Sequence, residues 1–112
     1  MIDSDAIDDT IRTYAKHGWI LRRVLLTADL RKSLGERSCE FFGDVKIGDG
    51  DIDAAWFSRP HDKGEIAWEI RHLNETPFAL LEYADETAGD FEDKLRAVEA
   101  RLTKSVAAKR NA

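Results

Sequence analysis

Apolar residues recur at helical spacing at both ends of the chain. Near the N-terminus Ile7, Ile11 and Tyr14 are three or four residues apart, and Gly18 follows them. Glycine commonly ends a helix because it adopts the left-handed conformation without strain. The C-terminal stripe consists of Phe91, Leu95, Val98 and Leu102. These spacings predict two amphipathic helices, one at each end of the chain.

The central part of the chain has the alternation and the apolar runs that are typical of strands. Residues 19–27 are rich in Ile, Val and Leu and predict a first strand, and residues 27–35 have room for one helical turn. Apolar and polar residues then alternate on both sides of the dipeptide Asp49-Gly50, which is favoured in type I′ turns. We therefore expect a hairpin in which Val45 faces Ala54.

A second hairpin is predicted around the polar loop at residues 60–64. A turn centred in this loop aligns Trp56 with Trp68 on one face of the sheet and Asp53 with Arg71 on the other. In the first hairpin Asp53 already faces Lys46. The two alignments together predict a charge ladder across three strands, with Asp53 in its centre.

Residues 77–86 fit two interpretations. They can form a further strand, or a helix with Thr76 as its cap and Pro77 in its first position. Periodicity does not separate these alternatives in a short apolar run. The whole pattern predicts one α+β domain over residues 1–112. We expect an antiparallel meander of four to five strands, with the N- and C-terminal helices on one face of the sheet.

Composition and charge narrow the possible functions. The chain has 112 residues and a net charge of −5, and residues 38–90 carry 4 basic and 13 acidic side chains. Phosphate backbones bind to clustered Lys and Arg, so we expect no nucleic-acid partner. No apolar run approaches the ~20 residues of a membrane-spanning helix. The first residues also lack the apolar stretch of a signal peptide. We therefore expect a cytoplasmic protein without a membrane partner.

Motifs for catalysis or metal binding are weak. Aspartates within residues 49–53 imitate the start of a calcium loop, but Ala54 and Pro60 stand where the loop needs Gly and a bidentate Glu. The Glu-x-x-His spacing that ends at His72 lies in a predicted strand, where the two side chains point to opposite faces. Cys39 is followed by the acidic Glu40, whereas an activated thiolate needs a cationic neighbour or a helix N-terminus. We expect no metal or cofactor, and we do not expect an enzyme.

One predicted surface favours a binding function. The sheet face opposite the tryptophans is expected to hold an apolar cluster of Phe42, Ala55, Phe57 and Ala67. Charged side chains are expected beside it, namely Lys46, Asp53, Glu69 and Arg71. Exposed apolar clusters of this kind mark interfaces, unless the same chain covers them, and both alternatives stay open here. We interpret the protein as a non-catalytic protein-interaction module, either a homodimer or bound to another protein through this face.

The alternative is a small-molecule-binding or enzymatic domain, with a pocket between the sheet and the helices. Ligand pockets are lined mainly by aromatic and apolar side chains with a few polar groups among them. The side chains that could form such walls are Trp56, Trp68, His72 and Tyr83.

Overall fold

Helices at both ends of the chain enclose a five-stranded sheet. The structure is a computed structural model and describes residues 4–60, 66–73, 79–84 and 87–110. Its elements in chain order are α1 (Ser4–Lys16), β1 (Ile20–Leu26), α2 (Ala28–Leu34), a 3₁₀ turn (Gly35–Arg37), α3 (Ser38–Phe42), β2 (Lys46–Asp49), β3 (Ala54–Pro60), β4 (Ile66–His72), β5 (Ala79–Ala84) and α4 (Phe91–Arg110). The strand order is β2-β1-β3-β4-β5, and the class is α+β, as predicted.

The two terminal helices form where the apolar stripes predict them. Gly18, with φ of +87°, follows α1, and the backbone N–H of Trp19 donates to the carbonyl oxygen of Tyr14 at 3.0 Å. The apolar stripe of α4 is buried against the sheet. No helix in the described ranges is long and apolar enough to cross a membrane.

The terminal helices lie on opposite faces of the sheet, so the expectation of one shared face is wrong. Leu95 and Leu102 of α4 pack with Trp56 and Trp68. On the other face, Ile7 of α1 packs with apolar residues of β1, α2 and α3. The reason is that β3 is buried on both faces over residues 54–58. A strand that is apolar on both sides requires cover on both sides.

The predicted hairpin around Asp49-Gly50 is also wrong, and the sheet is mixed. Residues 41–42, where the first strand was expected to start, belong to α3, and Gly43 with φ of +65° caps the end of this helix. β2 then runs parallel to β1, with Ile47 opposite Val24. Parallel neighbours need a crossover of a dozen or more residues, and the helical turns between β1 and β2 provide it. This path buries Leu30, Leu34 and Phe42.

The second hairpin is confirmed in its strands but not in its register. β3 and β4 are antiparallel, with Trp56 opposite Ile70 and Trp68 opposite Ser58. The alignment therefore differs by two residues from the predicted one, and its loop lies outside the described residues. Because side chains alternate with a period of two, this shift keeps each side chain on its predicted face. Trp56 and Trp68 do share a face.

The predicted ladder of Lys46, Asp53 and Arg71 does not form. β1 lies between β2 and β3, and Arg71 lies opposite Ala55. Asp53 precedes β3, and its Oδ1 accepts hydrogen bonds from the backbone N–H (2.8 Å) and the hydroxyl (3.0 Å) of Thr27. Asp53 thus connects the start of β3 to the start of α2.

The ambiguous segment contains a strand. Residues 79–84 form β5, which pairs antiparallel with β4, so the strand interpretation is confirmed there. The neighbouring residues 77–78 and 85–86 lie outside the described part of the chain. β5 and β2 form the two edges of the sheet.

Candidate functional site

The apolar cluster that was predicted as an exposed interface lies inside the protein. Phe42, Ala55, Phe57 and Ala67 are each at most 4% exposed. The ring of Phe57 stacks on that of Tyr14 in α1, with centroids 4.0 Å apart. A helix of the same chain thus covers this face. Self-association through Phe42 and Phe57 would require α1 to leave the sheet.

The charged residues predicted beside that cluster are separated. Lys46 is exposed on the edge strand β2, and Asp53 is bonded at the start of α2. The structure brings together only Glu69 and Arg71, which are two residues apart on β4 and therefore share a face. Glu69 accepts a hydrogen bond from the hydroxyl of Tyr14.

Two of the residues proposed as walls of a pocket, Trp56 and Trp68, are part of the packed core beneath α4. Trp56 and Trp68 meet edge to face with centroids 6.2 Å apart, and Phe91 of α4 lies 5.1 Å from Trp68. His72 is buried at the end of β4. The side chain of Tyr83 is outside what the structure describes. Apolar side chains of α4 pack in one cluster with these two tryptophans. A recess of about 220 Å³ between α4 and the sheet lies over β1 and β2 and is not lined by the tryptophans.

Another recess lies at the C-terminal end of α1, on the opposite face of the sheet. We call it the α1 recess. Its volume is about 290 Å³, and its lining residues are Thr13, Tyr14, His17, Trp19, Arg59 and Glu69. A second recess of about 160 Å³ continues along α1 and is lined by Asp9, Thr10, Thr13, Tyr14 and Arg71. Thr13 and Tyr14 border both recesses.

Three segments of the chain present the lining side chains. The turn after α1 places Trp19 beside Tyr14, with ring centroids 6.0 Å apart in an edge arrangement. Phe57 and Arg59 are two residues apart on β3, so both side chains face α1. Glu69 lies opposite Phe57 on β4. The alternation of the two strands therefore aims an arginine and a glutamate at the same helix.

Arg59 provides an exposed positive charge in the α1 recess. Its guanidinium lies over the ring of Trp19, 4.6 Å from the centroid, and its Nη1 donates to the carbonyl oxygen of His17 at 3.1 Å. The ion pairs found within the described ranges do not include Arg59. Stacking on an aromatic ring fixes the plane of the guanidinium while its remaining N–H groups can still donate.

Tyr14 provides a hydroxyl that stays protonated. Burial raises the pKa of Tyr14 well above its ordinary value, and the hydrogen bond and the negative charge of Glu69 raise it further. At neutral pH the phenol therefore donates a hydrogen bond and does not act as a base. One bond from Tyr14 leaves acceptor capacity on Glu69, because a carboxylate has about four lone-pair sites.

The sequence alone did not single out Tyr14, Trp19 or Arg59. Tyr14 was interpreted only as a member of an apolar stripe. A signal did exist, because a buried tyrosine hydroxyl needs a polar partner. Glu69 lies on the predicted face, and strand alternation places Arg59 on that face too. Trp19 carries no such signal, because its position depends on how the chain turns after α1.

The proposed metal and thiol motifs are dispersed. Asp49 forms an ion pair with Arg31, and the Sγ of Cys39 donates to the carbonyl oxygen of Glu36 at 3.3 Å. In the parts of the chain that are described, no group of three or more His, Cys, Asp or Glu residues is arranged to hold a metal ion. Independence from divalent metal stays a prediction.

Comparison with protein-family models, with curated proteins and with solved structures finds no match for this chain. A functional proposal therefore depends on the α1 recess. This recess combines aromatic side chains, a stacked guanidinium and a carboxylate, which is the mixture of apolar and polar groups that ligand sites usually contain.

Proposed function

We propose that the protein binds a small organic molecule in the α1 recess. The observation that carries the proposal is the exposed guanidinium of Arg59, which is held over Trp19 at a recess lined by Tyr14 and Glu69. A guanidinium held in a fixed plane binds a carboxylate or another oxyanion through two parallel hydrogen bonds. The volume of about 290 Å³ is near the lower end of the ~300–1,000 Å³ found for ligand pockets, so the ligand is small.

This geometry supports binding better than catalysis. A general acid or base works best with a pKa near the operating pH, and the pKa of Tyr14 is shifted away from neutrality. The arginine and the glutamate of the recess are suited to holding the charged groups of a ligand. We therefore propose a binding domain and assign no catalytic residue.

A small ligand is also better supported than a protein partner. Interfaces depend on apolar anchors that are exposed before binding. Among the described residues, the one large hydrophobic residue that is exposed is Ile20, at 59%. The apolar cluster expected to form an interface would become accessible only if α1 moved. Self-association through this cluster is the competing hypothesis.

Thermal unfolding in the presence of a library of small metabolites tests the proposal. A ligand that binds only the folded state raises the melting temperature in proportion to the logarithm of its concentration. Arg59→Gln should reduce this rise, whereas the matched control Arg101→Gln, on the exposed side of α4, should respond like the wild type.

Two results would contradict the proposal. One is a library in which no compound raises the melting temperature. The other is an Arg59→Gln variant that responds as strongly as the wild type to every compound that binds. Light scattering on the protein without ligand completes the experiment. A dimer that forms with increasing concentration, together with a silent library, would favour the protein-interaction module instead.

A further inference from the structure

We infer that the ligand of the α1 recess is a zwitterion, with one carboxylate and one ammonium group as in a free α-amino acid. The inference rests on the proposed function, because it specifies the charges of the ligand that the same recess takes. Its basis is the position of Arg59 and Glu69. These opposite charges line one recess, and neither forms an ion pair with the other.

Arg59 and Glu69 are diagonal neighbours on adjacent antiparallel strands. Glu69 lies opposite Phe57, and Arg59 lies opposite Ala67. Diagonal neighbours of this kind are ~7–8 Å apart between strands, and long side chains can bridge that separation. A direct ion pair between the two would therefore be within reach. The structure has a different arrangement.

Aromatic neighbours hold these two charges apart. The guanidinium of Arg59 is drawn toward Trp19, where it lies 4.6 Å from the ring centroid. The carboxylate of Glu69 is drawn toward α1, where it accepts the hydrogen bond of the Tyr14 hydroxyl. The recess therefore keeps a hydrogen-bond donor with positive charge and an acceptor with negative charge, both directed at the same small volume.

A ligand with both charges satisfies this pair better than other ligands do. A simple anion would be attracted by Arg59 but repelled by Glu69. A simple cation would be attracted by Glu69 but repelled by Arg59. A neutral ligand would desolvate both groups without compensating their charges. In a zwitterion, the carboxylate can accept hydrogen bonds from the guanidinium of Arg59 while the ammonium donates to the carboxylate of Glu69. The rings of Trp19 and Tyr14 then provide surface for an apolar side chain of the ligand or for its ammonium group.

The second recess does not change this balance. It is lined by Asp9 and Arg71, one acidic and one basic residue, and it shares Thr13 and Tyr14 with the α1 recess. Arg71 lies close enough to Tyr14 that its positive charge opposes the rise in the pKa of that hydroxyl. The charged side chains that line the α1 recess itself are those of Arg59 and Glu69, and the pair that lines the second recess is likewise of opposite charge.

Calorimetric titration with the common L-α-amino acids, each tested singly, is the first part of the experiment. The amino acid that binds best is then compared with its N-acetyl derivative, which lacks the ammonium group, and with its carboxamide, which lacks the carboxylate. We expect each derivative to bind about tenfold more weakly or worse, since each loses one charge-assisted hydrogen-bonded contact.

Two substitutions assign each charge to its partner. Glu69→Gln keeps an oxygen that can accept the bond from Tyr14. It should weaken binding of the free amino acid about tenfold. It should not weaken binding of the N-acetyl derivative, because the change also removes the repulsion between the carboxylate of Glu69 and that anion. Arg59→Gln should weaken binding of the free amino acid to a similar extent. It should not weaken binding of the carboxamide, because the change also removes the repulsion between the guanidinium and that cation. Glu36→Gln, an exposed change on the 3₁₀ turn, is the matched control.

The outcomes separate this inference from the proposed function. If a derivative binds as tightly as the free amino acid, or if Glu69→Gln weakens both ligands equally, the inference is overturned. If no amino acid binds but another metabolite raises the melting temperature through Arg59, the inference is wrong and the proposed function stands. If neither the amino acids nor the metabolite library bind, both are wrong.

Discussion

Replacing Phe57 with alanine tests whether α1 covers the sheet. Phe57 is 1% exposed, and its ring stacks on Tyr14 with centroids 4.0 Å apart. The substitution removes the buried ring and leaves a cavity between α1 and β3. Replacement with glutamate would in addition place a charge in that cavity.

The structure sets the size of the expected effect. Phe→Ala changes in protein cores cost ~3–5 kcal/mol, and an aromatic pair contributes ~0.5–1.5 kcal/mol beyond the burial of its area. Because domains of this size have a total stability of ~5–15 kcal/mol, Phe57→Ala should fold but unfold at a much lower urea concentration. Phe57→Glu should not fold, because a buried carboxylate without a partner costs several kcal/mol more.

Urea denaturation followed by tryptophan fluorescence and far-ultraviolet circular dichroism measures this loss. Ile20→Ala is the control, since Ile20 is 59% exposed on β1 and its truncation should change the free energy of unfolding by less than ~0.5 kcal/mol. A loss for Phe57→Ala no larger than that of the control would refute the burial of Phe57 beneath α1. A folded Phe57→Glu monomer would refute it too, and would fit the exposed sheet face predicted from the sequence.

Three further predictions concern pH, a side-chain bond and a glycine. Stability should decline as the pH rises above ~10, because the raised pKa of Tyr14 keeps its phenol protonated in the folded chain while the unfolded chain releases the proton. In alkaline urea titrations Tyr14→Phe should lessen this decline, and an unchanged decline would count against it. Asp53→Ala should lower the free energy of unfolding by ~1–3 kcal/mol, because two donors at the start of α2 lose their acceptor. Asp51→Ala, a change at an exposed residue, should lower it by less than ~0.5 kcal/mol. Equal urea midpoints for the two variants would contradict this prediction. Gly43→Ala should lower the free energy of unfolding by about 1–2 kcal/mol because φ is +65° there, whereas Gly89→Ala should be nearly neutral. Equal melting temperatures for the two variants would show that the positive φ of Gly43 is not required.

The parts of the fold that were predicted correctly are those whose sequence patterns are local and extend over several turns of helix or a whole strand. Helical periodicity over several turns identified both terminal helices, and the alternation in residues 54–60 and 66–72 identified the β3–β4 pair. The first hairpin failed because Asp49-Gly50 is a short-range signal. The path of the chain before Asp49-Gly50 depends on Phe42 of α3, which is buried in a cluster with Ile7 of α1. A local sequence pattern does not reveal a contact between residues as far apart in sequence as Phe42 and Ile7.

The candidate site could be predicted only in part for a similar reason. The face that holds Phe57 and Glu69 was identified correctly, because a register error of two residues does not move side chains between faces. The helix that covers it was not identified. An amphipathic helix can pack on either side of a sheet that is apolar on both faces. The face on which α1 packs determines whether the hydroxyl of Tyr14 can bond to Glu69.

The indole N–H signals of the three tryptophans in two-dimensional NMR spectra offer the most direct test of a ligand site at α1. Trp19 lines the α1 recess, whereas Trp56 and Trp68 are buried beneath α4 on the opposite face of the sheet. A Trp19→Phe variant identifies the signal of Trp19. During titration with a compound that raises the melting temperature, we predict that the signal of Trp19 shifts while the other two stay in place. A shift confined to Trp56 and Trp68, or none at a saturating concentration, would contradict the assignment of the ligand site to the α1 recess.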